Sequence, residues 1–170
     1  MLKTVIIEKS TVINAPIDQV WTISADEFQN IDRWDGNVKS SSVTGTAQGQ
    51  APVGGRVCAM YNGRETVESL VEYDAAQRSF TYEITKGLPG FVVSARNVWS
   101  HETLAGDRTR LTMRVVMQVK GIIGTVMSGP MKSQMGKVLE NAQEELKHFV
   151  ETGKPHSRKA RQISKHGPSA

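Results

Sequence analysis

The polar side chains best suited to acid–base chemistry fall on predicted β-strands. By alternation along their strands, Tyr82, Asn97 and His101 belong to the faces that point inward. An imidazole or a phenol in such a position can move a proton, and a carboxamide can orient a bound molecule. His101 and Tyr82 are therefore the candidate catalytic residues. The alternative is that these groups form hydrogen bonds inside a packed core or at a strand end.

No familiar catalytic or cofactor motif accompanies these residues. The sequence contains no Gly-x-Ser-x-Gly elbow, no Gly-x-x-x-x-Gly-Lys, no Gly-x-Gly-x-x-Gly and no histidine cluster with metal-ligand spacing. The single cysteine, Cys58, can form neither an intrachain disulfide nor a cysteine-based metal site, which is typical of a reducing compartment. We predict no metal and no cofactor.

Methionine is concentrated in the predicted sheet and around the predicted C-terminal helix. Unbranched thioether side chains adapt to molecules of irregular shape, which favours a pocket for an apolar ligand. A core filled with methionine is the alternative, and the two interpretations differ in whether a void remains. The six methionines concerned are Met60, Met113, Met117, Met127, Met131 and Met135.

Seven strand-like segments, rich in Val, Ile, Thr and aromatic residues, must position these side chains. Most are joined by short turn-forming links, which predicts an antiparallel meander because parallel strands need a crossover of about a dozen residues. Two short helical segments separate the first strand from the second. The predicted strands span residues 3–14, 38–44, 56–61, 65–73, 79–85, 91–103 and 108–120.

Alternation predicts which strand residues are buried. In the last strand Leu111, Met113, Val115, Met117 and Val119 share the buried face. The sixth strand is expected to point Phe91, Val93, Ala95, Asn97, Trp99 and His101 inward. The residues assigned to solvent are Arg56, Glu68, Glu72, Arg96 and Arg114.

A long C-terminal helix is predicted over residues 131–151, where apolar residues recur with helical period. At 1.5 Å per residue its length is about 30 Å, enough to cross a sheet. Residues 121–130 are apolar but contain three glycines and end in Pro130, which predicts an irregular approach to the helix. We expect the helix to lie across the concave side of the sheet without filling it.

Positive charge is concentrated at the C-terminal end. The 170 residues carry a formal net charge of +4, yet five basic residues and no acidic one follow Thr152, so the rest of the chain is nearly neutral. We predict one domain, residues 1–152, and a basic, disordered tail, residues 153–170. This pattern argues against specific nucleic-acid binding and leaves weak contact of the tail with a membrane or RNA as an option. Without a bilayer-spanning stretch or a secretory signal, we expect a soluble, cytoplasmic protein.

The order of elements is similar to the helix-grip fold of the START-like superfamily, which includes the polyketide cyclase/dehydratase and lipid transport group. This resemblance covers residues 3–152. It implies an α+β fold in which a curved antiparallel sheet of about seven strands wraps around the long C-terminal helix. It also implies a cavity for a lipid, isoprenoid or polyketide. The matching segments are residues 13–21 (Ile-Asn-Ala-Pro-Ile-Asp-Gln-Val-Trp), Asp26, Trp34, residues 71–74, Trp99, residues 109–112 and Gly121.

The link of Gly87, Leu88, Pro89 and Gly90 looks like the gate loop of plant abscisic-acid receptors, in which a Gly-Leu-Pro turn closes over the ligand. A tight type II turn explains the same residues without gating.

Together these patterns define a candidate ligand site between sheet and helix. We predict that the protein binds or carries a small hydrophobic ligand, with Asn97 or His101 setting its orientation. The alternative is an enzyme resembling the cyclases, aromatases or dehydratases, in which His101 or Tyr82 shuttles a proton. The predicted lining is Trp34, Met60, Tyr82, Val93, Asn97, Trp99, His101, Met113, Val115, Met117, Met127, Met131, Met135 and Leu139.

Overall fold

The computed structural model describes residues 1–167. Seven antiparallel strands within this range form one curved sheet, as the alternation and the resemblance predict. The strands are β1 (Leu2–Ile13), β2 (Val38–Thr44), β3 (Gly55–Met60), β4 (Glu65–Asp74), β5 (Ser79–Lys86), β6 (Val92–Leu104) and β7 (Arg108–Lys120). They are ordered β1-β7-β6-β5-β4-β3-β2, so each neighbouring pair except β1–β7 is a hairpin.

Helical segments follow β1 and β7. After β1 come a short helix, α1 (Ile17–Trp21), one π-helical turn (Thr22–Asp26) and a 3₁₀ helix (Phe28–Arg33). After β7 come α2 (Gly121–Thr152) and α3 (Ser157–His166). The predicted α+β helix-grip architecture is confirmed. No helix among residues 1–167 is long and apolar enough to cross a membrane.

The helix α2 begins ten residues earlier than the periodicity predicts. The expectation of an irregular segment before residue 131 was wrong, because the segment is helical and contains Pro130. Proline cannot donate to the carbonyl of Val126, but Val126 is exposed, so water can reach that carbonyl. Gly124 permits close packing here, since a Cβ at this position would lie 3.1 Å from the Cβ of Val119.

An aromatic cluster fills one end of the concave face. Trp21 and Phe80 are almost fully buried, with ring centroids 6.0 Å apart. Phe80 also lies 5.2 Å from Trp99, and Phe28 lies 5.6 Å from Tyr82. Large rings therefore fill this end, and the concave face is open toward the middle of α2.

The basic C-terminal segment is ordered up to Gly167, so the prediction of a disordered tail was wrong for this part. In α3, Arg158 Nε donates to Glu145 Oε1 at 2.7 Å. Lys159 is fully buried, and its Nζ donates to the Val38 carbonyl oxygen at 2.6 Å. Composition alone misses this, because these partners lie far away in sequence. Residues 168–170 of the predicted tail lie outside the described residues.

Candidate functional site

A cavity of about 340 Å³ remains between the concave face of the sheet and α2. Strands β3 to β7 supply one wall, and residues Met131 to Ala142 of α2 supply the other. The volume is at the lower end of the range of about 300–1,000 Å³ for small-molecule sites. The void that distinguishes a ligand pocket from a methionine-filled core is therefore present.

The apolar side of the cavity is rich in methionine. Met113 and Met117 reach it from β7, and Met131 and Met135 reach it from α2. Met113 and Met117 are almost fully buried, whereas the two helix residues are partly exposed. Flexible thioethers on facing walls can adapt to the shape of an apolar ligand. The other apolar residues on the cavity wall are Ile31, Val38, Met60, Ile84, Leu88, Pro89, Val92, Trp99, Val138, Leu139 and Ala142.

A buried ion pair forms part of the sheet wall. Arg56 and Glu68 face each other across β3 and β4, and Arg56 Nε donates to Glu68 Oε2 at 2.7 Å. Arg56 also donates to the Phe28 carbonyl oxygen at 2.6 Å, and its guanidinium lies 3.8 Å from the centre of the Phe28 ring. The assignment of both charges to solvent was wrong. The register of β4 against β5 shifts between Val67 and Glu68, so simple alternation does not hold along this strand.

A second set of hydrogen bonds lies beside this pair, where the Arg56 guanidinium is 5.3 Å from the Tyr82 ring centre. Asn97 Nδ2 donates to the Tyr82 hydroxyl oxygen at 2.7 Å, and Trp99 Nε1 donates to Asn97 Oδ1 at 3.1 Å. Burial and the nearby Glu68 carboxylate raise the pKa of Tyr82, which keeps the phenol neutral. Within residues 1–167 the Tyr82 hydroxyl accepts this bond and donates none, so its hydrogen is available to a ligand.

Two further polar groups at this wall have unused hydrogen-bonding capacity. The Thr66 hydroxyl oxygen is buried and makes no hydrogen bond within residues 1–167. Asp35 accepts a bond from the Asn37 backbone N–H at 2.8 Å. Burial, reinforced by the charge of Glu145, raises the pKa of Asp35 to about 6. The cavity is therefore amphipathic, with methionines on both the sheet side and the α2 side and with a group of hydrogen-bonding residues, which we call the polar wall, from the strands and the segment before β2.

His101 lies outside the cavity wall, in the aromatic end of the core. Its Nδ1 is 2.9 Å from the Arg78 carbonyl oxygen, and its Nε2 is 2.9 Å from Ser24 Oγ. A carbonyl can only accept, so Nδ1 carries the proton and Nε2 accepts from the serine hydroxyl. Burial lowers the pKa of His101 to about 4, which keeps the ring neutral. These contacts describe a structural histidine.

The other sequence-predicted residues divide into those that line the cavity and those that do not. Met60, Tyr82, Asn97, Trp99, Met113, Met117, Met131, Met135 and Leu139 line the cavity, as do Gly87, Leu88 and Pro89 of the predicted gate loop. Trp34 and Val115 are buried but lie outside the wall, and Gly90 is exposed beside it. Val93 and Met127 are exposed and do not line the cavity, so their assignment to the lining was wrong.

A β-bulge explains the misplacement of Val93. The register of β6 against β7 shifts between Val92 and Ser94, which turns Val92 inward and Val93 outward. From Ala95 onward the predicted face is correct. Sequence reasoning also missed Asp35, Arg56 and Glu68, and only a known strand register would have shown that the last two oppose each other.

The burial of His101 predicts a stability change in mild acid. The folded-state pKa of about 4 lies below the ordinary histidine pKa of 6.5, so the unfolded chain binds a proton more readily. Stability from neutral His101 is thus present above pH 6.5 and is lost as the pH falls toward 4, by up to about 3 kcal/mol.

Urea unfolding of the wild type and of His101→Gln, compared from pH 7.5 to 4, isolates this contribution from that of Asp35. We expect the stability difference between the two proteins to be constant above pH 6.5 and to move in favour of the variant below it. A difference that does not change with pH would show that His101 is solvated in the folded protein.

The chain matches one protein family in sequence and several solved structures in fold. A family model described as polyketide cyclase/dehydrase and lipid transport matches residues 4–151. No curated protein matches the sequence significantly. Norcoclaurine synthase from Thalictrum flavum, solved as a point mutant with a transition-state analogue, is 16% identical with a TM-score of 0.68, and the alignment covers 90% of this chain and 98% of that one.

Two bacterial structures are similar to a comparable degree. The protein XoxI from Bacillus cereus is 16% identical with a TM-score of 0.72, covering 87% of this chain and 96% of that one. A START superfamily protein from Mycobacterium smegmatis is 19% identical with a TM-score of 0.69, covering 86% and 97%. At these identities the likeness shows a shared fold and leaves the ligand to be argued from the cavity.

Proposed function

The chain belongs to the polyketide cyclase/dehydrase and lipid transport family, and from this premise we propose that it binds and carries a small, mainly apolar molecule with one polar end. The cavity of about 340 Å³ between sheet and α2 carries the proposal. Its methionine-rich lining would supply affinity by burial of apolar surface, at about 25 cal/mol per Å².

The part of the polar wall around Arg56, Glu68 and Tyr82 supports a preference for an uncharged polar end. Arg56 and Glu68 neutralise each other, so neither presents an uncompensated charge to a ligand. Tyr82 offers a hydroxyl hydrogen, and the Thr66 hydroxyl has no protein partner among the described residues. A carbonyl or hydroxyl group could bond to these hydroxyls without the desolvation cost of an ion.

The alternative of a cyclase-like enzyme receives less support from the geometry. His101 is turned toward Ser24 and away from the cavity, so it cannot serve as the proton shuttle in this arrangement. Tyr82 does face the cavity, but its raised pKa makes it a hydrogen-bond donor rather than a base. We therefore do not propose a reaction.

Native mass spectrometry of the full chain, purified without detergent, tests the proposal. We expect a fraction of the protein to carry a bound organic mass, and an apolar fluorescent probe such as N-phenyl-1-naphthylamine to bind the delipidated protein with one-to-one stoichiometry. A protein that shows only its own mass and does not bind the probe would contradict the proposal.

A further inference from the structure

An exposed apolar face on the first turns of α2 has no role in the core or the cavity. Ile122 is 85% exposed, Ile123 and Val126 are each 69% exposed, and Met127 is 41% exposed. At 100° per residue these four side chains fall within an arc of about 140°. Gly124 and Ser128, which are buried, lie on the other side of the helix. From this face we propose that the protein docks on the surface of an anionic lipid bilayer.

The N-terminal residues lie beside the start of α2. The backbone N–H of Gly121 donates to the Met1 carbonyl oxygen at 3.4 Å, and Leu2 pairs with Lys120 across β1 and β7. We call the exposed side chains of Ile122, Ile123, Val126 and Met127 the α2 apolar face. Contiguous exposed apolar surface of this kind is uncommon on a protein without a partner.

The charges around the α2 apolar face favour a bilayer with an anionic surface. No Asp or Glu occurs from residue 108 to residue 139, or among the first seven residues. Lys120 directly precedes α2, and Lys3 lies beside the helix, where its Nζ donates to Ser128 Oγ at 2.8 Å. Lys137, about four turns further along, is 3.8 Å from Glu140, so that pair adds no net charge. Apolar side chains bordered by lysines are the pattern of a helix that lies in the headgroup region of an anionic bilayer.

A second copy of this chain fits the same surface less well. A two-fold contact would place the surface against itself and bring the lysines of two acid-free faces together. Those like charges would repel each other across the interface, whereas anionic headgroups attract them. The charge pattern therefore favours a bilayer.

The docking surface is at the same end of the molecule as one wall of the cavity. The Lys120 backbone N–H donates to the Phe91 carbonyl oxygen at 2.9 Å, and the Val92 N–H donates to the Pro89 carbonyl oxygen at 2.8 Å. Leu88 and Pro89 in turn line the cavity. Docking would therefore hold the cavity near the bilayer. Transfer of a ligand between them rests on the proposed function, but docking itself does not.

Flotation of the full chain with vesicles tests the docking. The vesicles are phosphatidylcholine containing about one third phosphatidylglycerol, with pure phosphatidylcholine for comparison. The test variant is Ile122→Ser/Ile123→Ser. The matched control is Val43→Ser/Val71→Ser, which removes two exposed valines on β2 and β4. All four residues are exposed, so both variants should fold, as thermal unfolding would check.

We expect the wild type and the control to bind the anionic vesicles equally, with weaker binding at high salt, and the isoleucine variant to lose at least about tenfold in partition coefficient. Equal binding by the isoleucine variant, or no binding by the wild type, would overturn the proposal. So would a wild-type dimer, seen by light scattering, that the isoleucine substitutions dissociate without vesicle binding. Probe binding measured on the same samples separates a failure of docking from a failure of the cavity proposal.

Discussion

Replacing Met135 with tryptophan will weaken binding of the apolar probe by at least about tenfold, equivalent to 1.4 kcal/mol. Met135 projects from α2 into the cavity, opposite Met113 and Met117 of the sheet. An indole at this position would occupy a substantial part of a cavity of about 340 Å³. The ligand and the new ring would then compete for the same space, because packed protein interiors accommodate added volume poorly.

Met127→Trp is the matched control for this prediction. Met127 lies on the same helix, two turns earlier, but is exposed and does not line the cavity. Its substitution should leave probe affinity unchanged. Titration of both variants, with circular dichroism to confirm that they fold, makes the comparison. Undiminished probe affinity in a folded Met135→Trp protein would show that the probe binds elsewhere.

Arg56→Met should destabilise the fold by about 3–5 kcal/mol, because it leaves the buried Glu68 carboxylate without its partner. The side chains of both residues are less than a tenth exposed, and the pair is held by hydrogen bonds at 2.6–2.7 Å. The substitution also leaves the Phe28 carbonyl oxygen without the Arg56 donor. Such a loss is a large share of the free energy of unfolding of a typical domain, which is about 5–15 kcal/mol.

The double variant Arg56→Met/Glu68→Leu removes both charges. It therefore separates the destabilisation caused by an unpaired buried charge from the effect of losing the ion pair itself. We expect it to recover most of the stability lost in the single variant, since apolar replacements of a buried pair are commonly neutral. Arg96→Met is the control, because Arg96 and Glu83 form an exposed cross-strand pair whose loss should change stability little. Chemical denaturation of the four proteins measures all these differences. A single variant as stable as the control would mean that water in the cavity solvates Glu68.

Local sequence patterns predicted most of the strands and helices and part of the candidate site. Alternation identified the buried face of β7, from Leu111 to Val119, and the strand bounds agree within about two residues. Short links between strands implied the antiparallel order, because such links leave no room for a crossover. Helical periodicity found Met131, Met135 and Leu139 on the helix face that meets the cavity.

Tertiary structure decided the features that depend on register and on distant partners. The bulge at Val92 and Ser94 reversed the face of Val93, since each one-residue shift in register moves a side chain to the other side of the sheet. The pairing of β3 with β4 brought Arg56 and Glu68 together in the interior, where charged residues are stable only as partners. Helix α2 also runs through Pro130, which local sequence rules treat as a helix breaker.

The tertiary structure also decided which residues form the polar wall and what surrounds His101. His101 shares the predicted inward face with Asn97, yet Asn97 meets the cavity and His101 meets Ser24 from the segment after α1. Strand alternation assigns a side to each residue, but it does not say which other element covers that side. What covers it is set by contacts between residues far apart in sequence, and that information is present only in the folded chain.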